Sequence, residues 1–462
     1  MYRFYWNSIL IIFFILSFSL NGFCAASEVK KPFDPNLHVL LTRLLNQNEE
    51  IQTFQHRVDS AQALVKQRRA LYYPTLDLYG DTGQEKTEKE FGKDTNEFRH
   101  QVTLRGNQLI TDFGKTTNII KRDEFILMQA KARLASVTQQ MMRDGIAAYI
   151  NIVRARERLK TALFSEKRIK ELTGIEKALV QKGAGVTSDV LQAKSQLAGA
   201  MALTVEAKGE LNIAKNHFYT VFYHLPTPSN IEQFKEISFP SAHLPVSLDA
   251  GIEEAMKKNP EIQITRYDLT VTELDVRISK SAYFPTLNLF AEASDANDDD
   301  GLLGYRREYS AGIEFRQNLY RGGSDAAAIR NAIANKSAAA SHLEYAMKLV
   351  KEQVSNSWEQ LSTLKQKNEL LDQQIDILKN FLELAKKERK MGTRSLLDVL
   401  NGEVNYINAQ GNAIAAREDT KIAAFNLLFT MGKIHLDLFE IPKKSGFSLN
   451  FNGNPYFSIS KI

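Results

Sequence analysis

Residue types that could do chemistry are present in this 462-residue chain, but their spacing withholds it. The eight histidines are scattered and never fall in the His-Glu-x-x-His spacing that sets two zinc ligands and a base on one helical face. Cys24 is the one cysteine, which excludes a disulfide framework, a cysteine zinc site and a paired redox thiol. Asp295-Ala296-Asn297-Asp298-Asp299-Asp300-Gly301 resembles a calcium loop, yet its glycine comes one place late and Arg306 stands where the closing glutamate belongs. It reads as a solvated loop. Gly183-Ala184-Gly185 lacks the lysine of a phosphate loop, and there is no Gly-x-Ser-x-Gly elbow. The expectation is a protein that is no enzyme and uses no metal or cofactor. What survives is a pair of polar turns. One runs Lys182-Gly183 and then Thr187-Ser188-Asp189-Val190-Leu191; the other runs Gly392-Thr393-Arg394-Ser395-Leu396-Leu397-Asp398-Val399-Leu400-Asn401. Ser395 and Asp398 have capping-box spacing, Asp189 sits where an acid favours a helix start, and Gly183 and Gly392 permit tight turns.

The elements that must position these turns are long helices. Ile120, Leu127, Leu134, Met141, Ala148, Ala155, Ala162 and Ile169 keep a strict seven-residue spacing. Ile329, Leu343, Val350, Leu364, Leu371, Leu378 and Ala385 continue one register further on, interrupted at Lys336 and Ser357. No proline interrupts 115–182 or 324–390, so each predicts a helix of about 68 residues, roughly 100 Å long. A seven-residue repeat makes such helices pack as coiled coils.

The chain also repeats itself. Tyr73-Pro74-Thr75-Leu76-Asp77-Leu78 returns as Phe284-Pro285-Thr286-Leu287-Asn288-Leu289, and Glu50-Ile51-Gln52 as Glu261-Ile262-Gln263, both at an offset of 211. Gly114 with Gly323, Gly183 with Gly392, and Asp189-Val190-Leu191 with Asp398-Val399-Leu400 agree at 209. Each unit reads helix, strand, strand, very long helix, turn, helix, with Pro240 to Pro245 near the joint. The expected boundaries are a leader at 1–26, repeat 1 at 27–241, repeat 2 at 242–441 and a tail at 442–462. Strands are expected at about 75–83, 98–110, 285–294 and 307–319, and return helices at about 187–224 and 395–431.

Composition narrows the class. The 59 Lys and Arg against 54 Asp and Glu give a net charge of +5, too mild for a nucleic-acid binder without a dense basic block. At 44% hydrophobic and 24% charged residues the chain is not disordered, and 11 prolines are few for its length. Ile9 to Leu20 are almost wholly apolar, preceded by Arg3 and followed by Ala25 and Ala26, which reads as a secretory signal cleaved after Ala26 or after Cys24. Phe23 before Cys24 argues against lipidation. The run is shorter than the roughly 20 residues a spanning helix needs.

The strands alternate. Tyr309, Ala311, Ile313, Phe315 and Leu319, with Gln317 the exception, are interleaved with Ser310, Gly312, Glu314, Arg316 and Asn318; the first copy alternates more weakly, Phe98, Val102 and Leu104 with Arg99, Gln101, Thr103 and Arg105. Phe290 breaks the pattern of its strand. Aromatics gather at strand ends, at Tyr72-Tyr73, Tyr283-Phe284, Tyr305 and Tyr320. Alternation alone fits a half-buried sheet equally well. Export, together with hairpins inserted between very long helices, points to lipid-facing barrel strands. Four strands cannot close a barrel, since the smallest have about eight, so copies of the chain must share one.

Lys390-Met391-Gly392-Thr393-Arg394-Ser395-Leu396-Leu397-Asp398-Val399-Leu400-Asn401 with Asn405-Tyr406-Ile407-Asn408-Ala409-Gln410 resembles the second tip turn of TolC-type outer-membrane factors. Thr187-Ser188-Asp189-Val190-Leu191-Gln192-Ala193 after Lys182-Gly183 resembles the first, and the segments at Pro74 and Pro285 match the family's approach to its strands. The resemblance covers the mature chain to about Leu438. It implies a fold that is mainly α with a transmembrane β-barrel portion. Three copies would make a homotrimer, with a 12-strand barrel in outer-membrane lipid and a periplasmic α-helical tunnel. It also implies a periplasmic adaptor and an inner-membrane ABC or RND transporter as partners, in type I secretion or drug efflux. The Gly-Thr-Arg-Ser form is similar to the secretion branch. By resemblance Arg394 latches the closed tip to Ser188 and Asp189, Asp398 lines the constriction, Asn401 replaces a second acid, and Arg389 replaces a tyrosine that would add a hydrogen bond. Gly183, Thr187, Val190, Leu191, Gly392, Thr393, Ser395, Val399 and Leu400 would form the turns and the adaptor's docking surface. The competing expectation is a periplasmic coiled-coil adaptor, which would carry a soluble β-domain in place of lipid-facing hairpins.

Overall fold

The structure, a computed structural model, describes residues 34–183 and 186–439. The expected signal at 1–26 with Cys24, the tail at 442–462 and residues 184–185 lie outside the described residues. Two runs of the same elements follow one another. The first comprises α1 (Leu37–Gln47), α2 (Glu49–Arg69), strands β1 (Thr75–Thr87) and β2 (Thr95–Thr111), α3 (Lys115–Gln181) and α4 (Thr187–Phe222). A short α5 (Pro228–Ile231) and an irregular stretch lead to the second: α6 (Leu248–Lys258), α7 (Pro260–Lys280), β3 (Thr286–Asn297), β4 (Tyr305–Arg316), α8 (Ser324–Lys390) and α9 (Leu396–Thr430). The chain is mainly α, built as two tandem repeats that contribute one hairpin each to a four-stranded antiparallel sheet.

The repeat extends to the helix caps. The Asn48 side-chain oxygen accepts from the backbone N–H of Glu50 and Ile51 at 3.0 and 3.1 Å, and 211 positions on Asn259 accepts from Glu261 at 2.9 Å. Each carbonyl oxygen satisfies donors that a first helical turn leaves without partners. Pro260 then takes the first helical position, where its missing N–H costs nothing.

The helices α3 and α8 have 67 residues each, about 100 Å at 1.5 Å per residue. Of the seven-residue series in α3, Ile120, Ala148, Ala155, Ala162 and Ile169 are buried, while Leu127, Leu134 and Met141 are half-buried. In α8 the series is displaced by about one turn over its first half. Ala332, Ala339 and Ala346 are buried, and Ile329 and Leu343 only partly so. Helices that touch through alanine approach closely, and larger side chains a turn away flank the contact. Midway along repeat 2, Ala255 and Ile262 of α6 and α7 meet Val350, Val354 and Leu361 of α8 and Ala423, Ala424 and Leu427 of α9. Burying each Val, Leu or Ile contributes about 1.5–3 kcal/mol, so this node anchors the short helices to the long pair. Among the described residues no helix is long and apolar enough to cross a membrane.

Candidate functional site: the sheet and the tip turns

The strands are ordered β1-β2-β3-β4, so that among the described residues β1 and β4 are the sheet's unpaired edges. Pro74 and Pro285 each stand immediately before a strand, after a single 3-10 turn at Ala70–Tyr72 or Ser281–Tyr283. The first hairpin continues past its apolar residues to the Thr87–Thr95 pair, held there by polar cross-strand partners. Gln317 to Leu319, expected within the last strand, lie beyond it. The ladder ends at Thr286 opposite Arg316, because Pro285 has no N–H to extend it.

Register separates the two faces. Leu76, Leu78, Val102, Leu104, Leu289, Tyr309, Ile313 and Phe315 share one face and are exposed, with Tyr309 at 75%. The other face carries ion pairs. Arg99 reaches Asp81 at 3.2 Å, Glu85 at 3.5 Å and Asp299 at 2.8 Å, and Arg105 reaches Glu292 at 3.6 Å and Glu314 at 3.3 Å. A sheet on a protein core would bury its apolar side; this one leaves it exposed and carries most of its ion pairs on the opposite face, with Asp295–Arg307 at 3.3 Å the pair on the apolar side. Phe290 sits on the charged face, opposite Gly312, with the Arg105 guanidinium 5.6 Å from its ring. Of the segment expected as a solvated loop, Asp295 to Asn297 belong to β3, and in the turn that follows Asp299 is buried and held by Arg99 and, at 3.6 Å, by Arg306, so the arginine at the supposed glutamate position is itself the aspartate's partner.

At the far ends of the long helices, Gly183 (φ 75°) and Gly392 (φ 79°) make the two tip turns in the left-handed region, which costs a side-chain-bearing residue about 1–2 kcal/mol. Ser395 caps α9, its hydroxyl accepting from the Asp398 N–H at 3.1 Å, and Thr393 donates from its hydroxyl to the Glu388 carbonyl at 3.0 Å. Arg394 pairs with Glu388 at 3.1 Å and with Asp398 at 3.7 Å, and lies 5.0 Å from the Phe381 ring centre. The Ser188 hydroxyl donates to its neighbour Asp189 at 3.4 Å. Within one chain, among the described residues, no hydrogen bond or ion pair joins Arg394 to Ser188 or Asp189, so the expected latch is not an intrachain contact. Asn401 accepts from Gln196 of α4 at 3.4 Å. Arg389 makes a bond where a lost one was expected. It donates to Glu176 of α3 at 2.9 Å and to the Arg394 carbonyl at 3.3 Å.

Thr187, Leu191, Thr393 and Ser395 are exposed on the turns and Val190 is half-buried. Val399 and Leu400, expected on a docking surface, are core residues instead. Leu400 packs with Ile169, Ala193 and Leu396, and Val399 with Leu382 and Ala385. Sequence reasoning also missed Glu176 and Glu403. Glu403 of α9 is fully buried between Arg168 of α3 at 2.7 Å and Lys386 of α8 at 3.0 Å. Glu176 had a readable signal, since it stands seven residues after Ile169 in the buried seam, where a carboxylate needs a partner. Glu403 had none.

A long helical hairpin pair with an ion-paired tip, joined to a sheet whose outer face is apolar, defines the wall of a membrane channel. The family model described as "Outer membrane efflux protein" matches residues 40–222 and 251–433, one match per repeat, and the chain belongs to that family. It is similar to the outer membrane efflux protein BepC of Brucella suis, 25% identical over 73% of this chain and 73% of that protein. It is also similar to the alkaline protease secretion protein AprF of Pseudomonas aeruginosa (22%, covering 77% and 74%) and to TolC of Escherichia coli (21%, covering 91% and 86%). Among solved structures, the outer-membrane channel OprN superposes with a TM-score of 0.75 at 20% identity, covering 87% of this chain and 90% of that one. VceC of Vibrio cholerae superposes with a TM-score of 0.72 at 17% identity, covering 86% and 96%. The protein is an outer-membrane channel, not an enzyme, with a large periplasmic helical portion. The adaptor reading falls with this assignment.

Proposed function

We propose that three copies join edge to edge, β4 of one beside β1 of the next, into a 12-strand barrel continued by a periplasmic tunnel. A periplasmic adaptor and an inner-membrane ABC or RND transporter would load this exit duct. The observation that carries the reading is the sheet itself, with two unpaired edges, an exposed apolar face and a charged opposite face. Open edges and lipid-facing backbone cannot coexist in a bilayer, and four strands are too few to close alone. The tip turns supply the gate. Three copies of Asp398 form an acidic ring at the constriction, Asn401 makes the next ring neutral, and Arg394 pairs with Asp189 of a neighbouring copy. Exposed Thr187, Leu191, Thr393 and Ser395 offer the adaptor its docking surface. Type I protein secretion is favoured over drug efflux by the Gly-Thr-Arg-Ser turn and by the similarity to a protease secretion protein.

Light scattering on detergent-extracted outer membrane tests the assembly, which predicts three chains per particle. A monodisperse single chain, or recovery in soluble periplasm, would reject it. Deleting the gene tests the cargo. Loss of a secreted protein with unchanged antibiotic tolerance supports secretion, and the reverse pattern supports efflux.

A further inference from the structure

We propose that the junction between helices and sheet is a basic collar that binds the headgroups of anionic phospholipids in the leaflet facing the helices. The proposal rests on the outer-membrane reading above and adds a lipid class to it.

The placement is repeated in the two halves. α2 and α7 both end in basic residues, and a single 3-10 turn then presents an exposed aromatic pair, Tyr72-Tyr73 or Tyr283-Phe284, just before the strand. Tyrosine and phenylalanine at this position mark the level where hydrocarbon gives way to headgroups. Lys66, Arg277 and Lys280 lie in the last turn of their helices, and Lys115, Lys121 and Arg330 in the first two turns of α3 and α8. All six are exposed and none has an ion-pair partner among the described residues. Of the acids nearby, Asp123 pairs with Arg68 and Arg122, Glu124 with Arg69, Asp275 with Arg122 and Asp325 with Arg321, while Asp112 accepts from the backbone N–H and the hydroxyl of Thr116.

Helix electrostatics account for only half of this arrangement. Cations in a last turn complement the negative end of the helix dipole, which covers Lys66, Arg277 and Lys280. Lys115 opens α3, where a cation opposes the dipole and the first turn contains no acid, and Lys121 and Arg330 lie a turn further in, beyond the dipole's reach, so it does not account for these three. Their common feature is nearness to the aromatic level. Arg330 is six residues into α8, about 9 Å down the helix axis, within roughly one Debye length of the headgroups. Phosphodiester headgroups at that depth are the anions that this geometry meets.

The full-length protein, reconstituted in phosphatidylcholine vesicles with trace spin-labelled phosphatidylglycerol or spin-labelled phosphatidylcholine, tests the collar through the motionally restricted fraction of each label. The expected result is a preference for phosphatidylglycerol of about fivefold or more at low salt, shrinking as salt is raised. Lys66→Gln, Lys115→Gln, Lys121→Gln, Arg277→Gln, Lys280→Gln and Arg330→Gln combined should bring the ratio to near one. Lys208→Gln with Lys348→Gln, on exposed tunnel positions far from the sheet, should leave it unchanged. A ratio near one in the unaltered protein, or a preference that survives the sixfold variant, overturns the collar while the channel reading stands. Failure of the unaltered protein to enter the vesicles at all overturns the channel reading and the collar with it.

Discussion

Arg389, in the last turn of α8, donates to the carboxylate of Glu176 on α3 at 2.9 Å, and the same guanidinium reaches the backbone carbonyl of Arg394 at 3.3 Å. One side chain therefore ties the second tip turn to the first long helix. Glu176 is 4% exposed and, among the described residues, its second oxygen has no hydrogen-bond partner, so the link rests on Arg389. The planar, permanently charged fork of arginine suits a bond that must hold both a carboxylate and a carbonyl.

Arg389→Ala strands a buried carboxylate, and the expected loss of stability is about 1–3 kcal/mol. Glu176→Gln should cost less, and the double variant less than the sum of the two, because the pair acts as one unit. Denaturant unfolding of the three variants checks this; strict additivity would mean that the contact contributes nothing to holding the tip.

Arg394→Ala should raise conductance in planar bilayers. The intrachain partners Glu388 and Asp398 are half-exposed ion pairs, each worth about 0–1 kcal/mol, so a closed tip needs further contacts between copies. Asp189→Ala should then raise conductance as well, and exchanging the charges, Arg394→Asp with Asp189→Arg, should lower it again. Unchanged conductance in Asp189→Ala would confine Arg394 to its own turn.

Glu403→Ala removes a fully buried carboxylate and leaves Arg168 and Lys386, themselves 24% and 33% exposed, without their shared partner. Breaking a buried charge network by removing one member costs about 3–5 kcal/mol, whereas replacing all three residues by apolar ones of similar size should cost far less. Thermal unfolding decides between them. Equal losses in the single and triple variants would show that packing, not charge, matters at this junction.

Glu418 on α9 gives a pH prediction. Burial holds its carboxyl above the ordinary value of 4.5, against the opposing pull of the Lys421 ammonium at 2.7 Å. The folded state therefore keeps this proton after the unfolded chain has lost it. Its contribution to stability is full below pH 4.5 and declines as pH rises through the folded value. Glu418→Gln should flatten that part of the stability profile and raise neutral-pH stability relative to acid. A profile parallel to that of the unaltered protein would refute the assignment.

Much of the fold is legible because it is periodic. The seven-residue spacing of Ala148, Ala155, Ala162 and Ile169 marks a buried seam without reference to any partner, and the interleaving of Tyr309, Ala311, Ile313 and Phe315 with Ser310, Gly312 and Glu314 marks a two-faced strand. The seam of α8 is less legible, since Ala332, Ala339 and Ala346 carry little hydropathy and outrank the larger Ile329 and Leu343 only by allowing close approach. Val399 and Leu400 look like turn-surface residues beside polar neighbours, and only the packing of α3, α4 and α8 around α9 buries them.

The sequence by itself determined the tandem repeat, the proline-free long helices, the alternating hairpins and the glycine turns, because each depends on residues close along the chain. Tertiary structure alone decided which charges meet. Glu176 and Arg389 are 213 positions apart, and Arg168 and Glu403 are 235 apart. Whether such groups touch depends on how one helix is rotated against another, and at 3.6 residues per turn a slip of one residue swings a side chain by about 100°. That rotation is set by the summed packing of whole helices, which no short stretch of sequence contains.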